Sequence, residues 1–279
     1  MIPSTSLYKG AAVFASVTGI GAALVAVKLP IQHNKTGPFN YHRALKPVRR
    51  ITTLANKFQH VYNTEGRLDF VFANAGIVER FNFYAKHSNG RPPPPPDQKV
   101  IDTNLKSVVD TLWLSQHYLR HSTIGDDRNI IVTASVGSLY PALAIPSYCA
   151  AKHGVLGLMR SVAPYFYRES GIRVNAICPG SVRTNLLDEA TWDTIASDIF
   201  VPLEKISQTV LMLIDGYDVG GKAVGSGAPV DSGVTGGEKL YGKAVEISGT
   251  EHYYREPPMF CDERTKRNIK QGTDRESLS

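Results

Sequence analysis

Short apolar runs rich in β-branched and aromatic residues alternate with longer stretches of helical periodicity along most of this chain, and few architectures accommodate that alternation. The runs are Ala11–Ala15, Leu68–Ala73, Asn129–Ala134, Arg173–Ile177 and Lys243–Ile247. The helical patterns lie at Thr52–Tyr62, Lys99–Leu119, Tyr148–Arg168 and Leu203–Ile214. Strands that are apolar throughout belong to a parallel sheet covered on both faces, with helices as the crossovers. The expected fold class is therefore α/β: a doubly wound parallel sheet in a single domain. That domain is expected over residues 1–252, with a charged C-terminal tail over 253–279. In such a sheet ligands bind beyond the carboxyl ends of the strands, which directs attention to the polar residues just after each run.

Composition narrows the function classes. The net charge is +6, but the basic residues are dispersed, and no basic patch for nucleic acid is evident. The eight histidines and three cysteines show no metal-ligand spacing, which argues against a metal site and suits free thiols in a reducing compartment. No serine sits in a G-x-S-x-G elbow, which disfavours a hydrolase.

The strongest chemical signal is Tyr148-Cys149-Ala150-Ala151-Lys152. Helical spacing of four puts phenol and ammonium on one face, one turn apart. A nearby cation stabilises a phenolate, lowers a pKa that is ordinarily about 10, and makes proton exchange with a substrate oxygen feasible. Surface neighbours of no consequence would give the same pair, so its companions matter. Ser135 follows the run Ile130–Ala134 and could bind a substrate oxygen; Ser138 is the competing hydroxyl. Asn74-Ala75-Gly76 follows another apolar run, Asn104 begins a long helical pattern, and Pro179-Gly180-Ser181-Val182-Arg183-Thr184 follows Arg173–Ile177.

In that order, Asn74-Ala75-Gly76, Asn104, Ser135, Tyr148, Lys152 and Pro179-Gly180 with Thr184 resemble the short-chain dehydrogenase/reductase family over about Leu68 to Leu187. The segments Gly66–Ile77 and Gly242–Gly249 look like the fungal branch akin to 15-hydroxyprostaglandin dehydrogenase, which often serves secondary-metabolite pathways. The resemblance implies a Rossmann-like sheet and an NAD(P)-dependent oxidoreductase that interconverts a secondary alcohol and a ketone on a hydrophobic small molecule. By similarity, Ser135 polarises the carbonyl, Tyr148 exchanges the proton, Lys152 lowers the tyrosine pKa and holds the nicotinamide ribose, and Asn104 supports a proton relay. The implied cofactor contacts are Gly19, Ile20, Gly21, Asn74, Tyr148, Lys152, Val182 and Thr184. A cofactor part over about 10–135 and a catalytic part over about 135–252 are implied as well, together with a homodimer or homotetramer built on the helices starting near Lys99 and Tyr148.

The match weakens at the N-terminal end. The family's first glycine loop reads TGxxxGxG; here Gly19-Ile20-Gly21 supplies its end, while Phe14 and Ala15 replace the first threonine and glycine. The stretch from Gly21 to Asp69 is too short for the expected strands and helices and is broken by Pro30, Pro38 and Pro47, so the second βα unit is expected to be abbreviated. From Ala22 to Thr64 there is no Asp or Glu, while Lys28, Lys35, Arg43, Lys46, Arg49 and Arg50 are present. A 2′-phosphate would meet cations and no carboxylate, which favours NADP over NAD. Two readings of residues 10–27 stay open: a strand, glycine turn and first helix in a cytoplasmic protein, or an apolar segment that anchors the chain to a membrane. A catalytically impaired binding protein with a degenerate cofactor site is the competing functional reading.

Overall fold

Five strands run parallel through the centre of the molecule: β1 (Lys9–Val17), β3 (Phe70–Asn74), β4 (Arg128–Thr133), β5 (Ile172–Pro179) and β7 (Ala244–Ser248). The computed structural model describes residues 9–17, 22–30, 51–87, 90–122, 127–218, 222–224 and 239–273. The sheet is completed by β2 (Ala22–Pro30), β6 (Lys222–Val224) and β8 (Glu251–Arg255), in the order β2-β1-β3-β4-β5-β7-β8-β6. The helices are α1 (Ile51–Glu65), α2 (Lys99–Ile101), α3 (Ser107–His121), α4 (Pro146–Ser170), α5 (Glu189–Trp192), α6 (Leu203–Asp215) and α7 (Glu263–Thr273).

The apolar runs become central strands because both of their faces are covered. Val71, Ala73, Ile130, Val132, Val174 and Ala176 point to one side, where Phe58 of α1, Leu112 and Leu119 of α3, and Val155 and Met159 of α4 pack on them. The alternating residues Phe70, Ile131, Ile177, Val245 and Ile247 point the other way, against Val210, Leu213 and Ile214 of α6. The period of two in side-chain direction thus splits one continuous apolar strand between two cores. The crossovers leading from β1 to β5 carry their helices on one face, and the crossover from β5 to β7 carries α6 on the other. This is the expected α/β, Rossmann-like sheet with helices on both faces.

Three features differ from the sequence reading. Ala22–Val27, read as the first helix after the glycine turn, is instead the edge strand β2, antiparallel to β1 with Val17 opposite Ala22 and Lys9 opposite Pro30. Val25 and Val27 favour extended backbone, and Pro30, which lacks an amide proton, is tolerated at the end of an edge strand. The abbreviation of the N-terminal units is therefore more severe than expected, since a β-hairpin replaces a βα step. Second, the pattern Lys99–Leu119 is not one helix. A π-helical turn over Asp102–Lys106 separates α2 from α3 and carries Asn104. Third, the sheet continues through β8 to Arg255, where Tyr254 is buried, before the exposed charged helix α7.

Arg173 secures the end of the sheet remote from the carboxyl edge. Its buried guanidinium donates to the carbonyls of Leu213 (2.8 Å), Ile214 (2.5 Å) and Leu240 (3.0 Å) and to Asp127 Oδ1 (2.7 Å). The C-terminal carbonyls of α6 are satisfied in this way. Gly216 closes α6 with φ of 86°, and a β-carbon there would lie 2.9 Å from Arg173 Nη1, so both conformation and space call for glycine. Among the described residues no helix is long and apolar enough to cross a membrane, and the part of residues 10–27 that is described is strand.

Candidate active site

The parallel strands end side by side, with Ser16 opposite Asn74, Ala73 opposite Val132 and Thr133 opposite Ile177, so the residues just after them form one edge. Asn74 and Thr133 are joined there, Thr133 Oγ1 donating to Asn74 Oδ1 at 2.6 Å. After β4 the chain makes a 3₁₀ turn over Val136–Ser138, capped by the Ser135 side chain, which accepts from Gly137 N at 3.1 Å. Ser138 Oγ accepts from Ser135 N (3.2 Å) and donates to Lys152 O (2.8 Å). Both of its roles are internal, which leaves Ser135 as the hydroxyl with capacity for a substrate.

The first turns of α4 bring Tyr148 and Lys152 to this edge. A methyl group on Gly137 would lie 3.5 Å from Ser135 Oγ and 3.5 Å from Tyr148 Cε1, so serine and phenol flank the same small residue. A methyl on Gly76 would lie 3.6 Å from Lys152 Nζ and 3.7 Å from Asn104 Oδ1. Ser135 and Tyr148 thus border Gly137, and Lys152 and Asn104 border Gly76, each glycine putting no side chain between its two neighbours. Lys152 is 2% exposed, its Nζ donating to Thr133 O at 2.6 Å and lying 5.7 Å from the centre of the Tyr148 ring. Asn104 is fully buried; its Nδ2 donates to Ile77 O and its Oδ1 accepts from Ile77 N, both at 2.8 Å. π-turns widen a helix locally and recur at functional sites; this one carries the amide that grips the loop after β3.

The electrostatics of the phenol differ from the sequence expectation. Burial pushes the Tyr148 phenol above its ordinary value of 10, and the neighbouring Ser135 hydroxyl pulls it back in part. The ammonium lies 5.7 Å from the centre of the phenol ring and gives a hydrogen bond to Thr133 O. Burial lowers Lys152 itself to about 8. The phenol is thus held protonated in the neutral range, in the form that gives a proton.

Not every expected residue joins this group. Val182 packs on the α6 side of the sheet, and Thr184 is exposed, its carbonyl accepting from Trp192 Nε1 at 2.7 Å. Neither makes a hydrogen bond to Tyr148 or Lys152. Gly19, Ile20 and Gly21 lie outside the described residues, as do Lys35, Arg43, Lys46, Arg49 and Arg50. Among the described residues no group of His, Cys, Asp or Glu could hold a metal ion, and Cys149, Cys178 and Cys261 are free.

Two contributors were not singled out from sequence. Glu79, buried after the Asn74-Ala75-Gly76 loop, accepts from Ser147 N (3.2 Å) and Tyr148 N (2.6 Å). Glu246 of β7 pairs with Arg255 of β8 (3.2 Å) and accepts from Tyr140 Oη (3.4 Å), tying the loop beyond Ser138 to the last hairpin. The signal for Glu79 was present in part: a helix beginning Ile145-Pro146 has no capping side chain of its own.

A nicotinamide cofactor fits one half of the site. Beyond its bond to Thr133 O, Lys152 has two further N–H donors beside Gly76, which suits a ribose diol. On the diphosphate side, β1 leads into a strand, not into a helix whose N-terminal amides would take a phosphate.

A phenol, a serine hydroxyl and an ammonium gathered at the carboxyl edge of a parallel sheet define a site for proton exchange at a carbonyl or alcohol oxygen. The model of the short chain dehydrogenase family matches residues 7–194, and the chain belongs to that family of NAD(P)-dependent oxidoreductases. It is 46% identical over 226 residues to the short-chain dehydrogenase/reductase prx7 of Penicillium rubens, covering 77% of each chain. Over 136 residues it is 35% identical to human 15-hydroxyprostaglandin dehydrogenase [NAD(+)], covering 48% of this chain and 46% of that enzyme. In fold it is similar to ElxO with NADP bound, with a TM-score of 0.54 at 18% identity, over 72% of this chain and 74% of that one.

Proposed function

We propose that this protein reduces a hydrophobic ketone to a secondary alcohol at the expense of NADPH, within fungal secondary metabolism. The observation that carries the reading is the convergence of Ser135, Tyr148, Lys152 and Asn104 around Gly76 and Gly137. When bound, the cofactor supplies the hydride that goes to the carbonyl carbon. Ser135 Oγ holds the carbonyl oxygen, and Tyr148, protonated at neutral pH, gives that oxygen its proton. Lys152 holds the cofactor's ribose and stabilises the phenolate left behind. Asn104, through Ile77, fixes the loop against which Lys152 lies, and Asn74 contributes to the cofactor's floor. Gly19, Ile20 and Gly21 would face the diphosphate, and Val182 and Thr184 the nicotinamide.

The test is reduction of an aryl ketone with NADPH. Replacing Tyr148 by Phe should leave fold and cofactor binding intact and lower turnover by about 10²-fold or more, the contribution usual for an acid–base group. Parent-level turnover in Y148F removes the mechanism. The second reading, a binding protein with an impaired cofactor site, draws support from β2 standing where the family's first helix would be. Nicotinamide fluorescence separates the two: saturation near micromolar NADPH belongs to the enzyme, and no saturation at millimolar belongs to the binding protein.

A further inference from the structure

We infer that Glu79 is a positioning residue for this reaction, its carboxylate replacing the missing N-cap of α4 and so setting where Tyr148 stands; this rests on the role proposed for Tyr148. The first amides of any helix lack intrahelical partners and take them from a capping side chain. At α4 the N-cap is Ile145, whose aliphatic side chain accepts nothing, and Pro146 follows with no amide proton. The first amides left over belong to Ser147 and to Tyr148 itself. Glu79 answers both, Oε1 accepting from Ser147 N at 3.2 Å and Oε2 from Tyr148 N at 2.6 Å, while remaining only 8% exposed. A carboxylate at the N-terminus of a helix of 25 residues is also favoured by the peptide dipoles.

What makes this more than a cap is where Glu79 comes from. It lies in the segment that leaves β3 at Asn74, which Thr133 holds at 2.6 Å, and passes Ile77, which Asn104 grips with two bonds of 2.8 Å. The backbone amide of the proton donor is therefore tied, through one side chain, to the loop that also lies against Lys152. Tyr148 and Lys152 are referenced to the same segment. A displacement of about 1 Å at a reacting group costs on the order of 10²-fold in rate, so slack at this bond reaches the chemistry.

The experiment compares the parent protein with Glu79→Ala, Glu79→Gln and Glu79→Asp. The probe is 4-nitroacetophenone with NADPH, and Tyr148→Phe is the control. Amide exchange is followed over residues 145–152 and, separately, over 155–166. With E79A, kcat should fall about 10- to 100-fold while NADPH affinity stays within about threefold, and exchange should quicken only in the first segment. Because one carboxamide oxygen still accepts from Tyr148 N, E79Q should return kcat to within about threefold of the parent. Parent-like kcat and exchange in E79A overturn the inference. Equal losses in E79A and E79Q, with exchange faster along all of α4, overturn it as well, since they describe a merely structural carboxylate. Should E79A not fold, E79D serves, because it withdraws the carboxylate by one methylene. Slower turnover with faster local exchange then supports the inference, and parent-like values overturn it. If the parent itself fails to exceed Y148F, the catalytic reading has failed, and the local exchange alone decides whether Glu79 holds Tyr148.

Discussion

Lys152 is buried with a single hydrogen bond, to Thr133 O, and among the described residues no carboxylate pairs with it. Taking a lone ammonium out of water destabilises the folded chain, which is why its pKa falls from 10.5 to about 8. A shift of that size corresponds to roughly 3 kcal/mol, offset by about 1 kcal/mol for the hydrogen bond to Thr133. Lys152→Met should therefore abolish turnover yet stabilise the protein by an amount of order 2 kcal/mol at pH 7, read from urea melts. The destabilisation exists while the folded lysine must be charged, below about pH 8. It shrinks as pH rises from 8 towards 10.5, so the gap between variant and parent should close over that interval; a gap that widens would contradict the assignment. The same titration bears on catalysis. Reduction should be insensitive to pH below about 8 and decline above it, as the cation that stabilises the phenolate is lost while the phenol stays protonated.

Among the elements, α6 depends on a residue outside it. Arg173 on β5 satisfies the last carbonyls of α6 and pairs with Asp127, which also receives Lys239 Nζ at 2.7 Å. Removing the guanidinium takes the donor from the buried carbonyls of Leu213 and Ile214, at about 1–3 kcal/mol for each such group, while Asp127 keeps Lys239. Arg173→Ala should lower the urea midpoint accordingly while the turnover of the molecules that remain folded is unchanged, because Arg173 lies at the far end of the sheet. The helices and central strands were legible from the sequence to within a few residues, since burial on two faces demands apolar runs and the crossovers carry a helical period. The π-turn at Asp102–Lys106 was not legible. Helical periodicity continues across it, and the pull on Asn104 comes from Ile77, a residue remote in the chain.

At the scale of the molecule, the unusual feature is the hairpin of β1 and β2 at the edge where a nucleotide-binding unit is expected. If the cations that follow it serve the cofactor, NADPH should bind at least about tenfold more tightly than NADH, and the difference should shrink with added salt because exposed charges are screened. Comparable affinities at low salt would assign those cations to solvent. The outer side of α3 presents Trp113 at 70% and Val109 at 44% exposure, one turn apart. An apolar pair of this kind on the helix expected to mediate association fits a second copy of the chain. Trp113→Arg should convert a dimer to a monomer in light scattering, and an unchanged mass would place the interface elsewhere.

By itself the sequence determined the class of fold and the order of the central elements, which are written in local periodicity. It also set Tyr148 and Lys152 one turn apart on one helix, while Ser135 and Asn104 were added by the resemblance. Only the tertiary structure decided what each of those groups faces. Ser138 is occupied by Lys152 O, Lys152 gives its hydrogen bond to Thr133 O, and burial raises the phenol above its ordinary value and keeps it protonated at neutral pH. The conversion of Ala22–Val27 into an edge strand was likewise settled by pairing with β1, a partner that propensity alone does not reveal. Glu79 belongs to the same category: its acceptor oxygens meet two amides far along the chain, and burial and hydrogen bonding between distant segments exist only once the chain has folded.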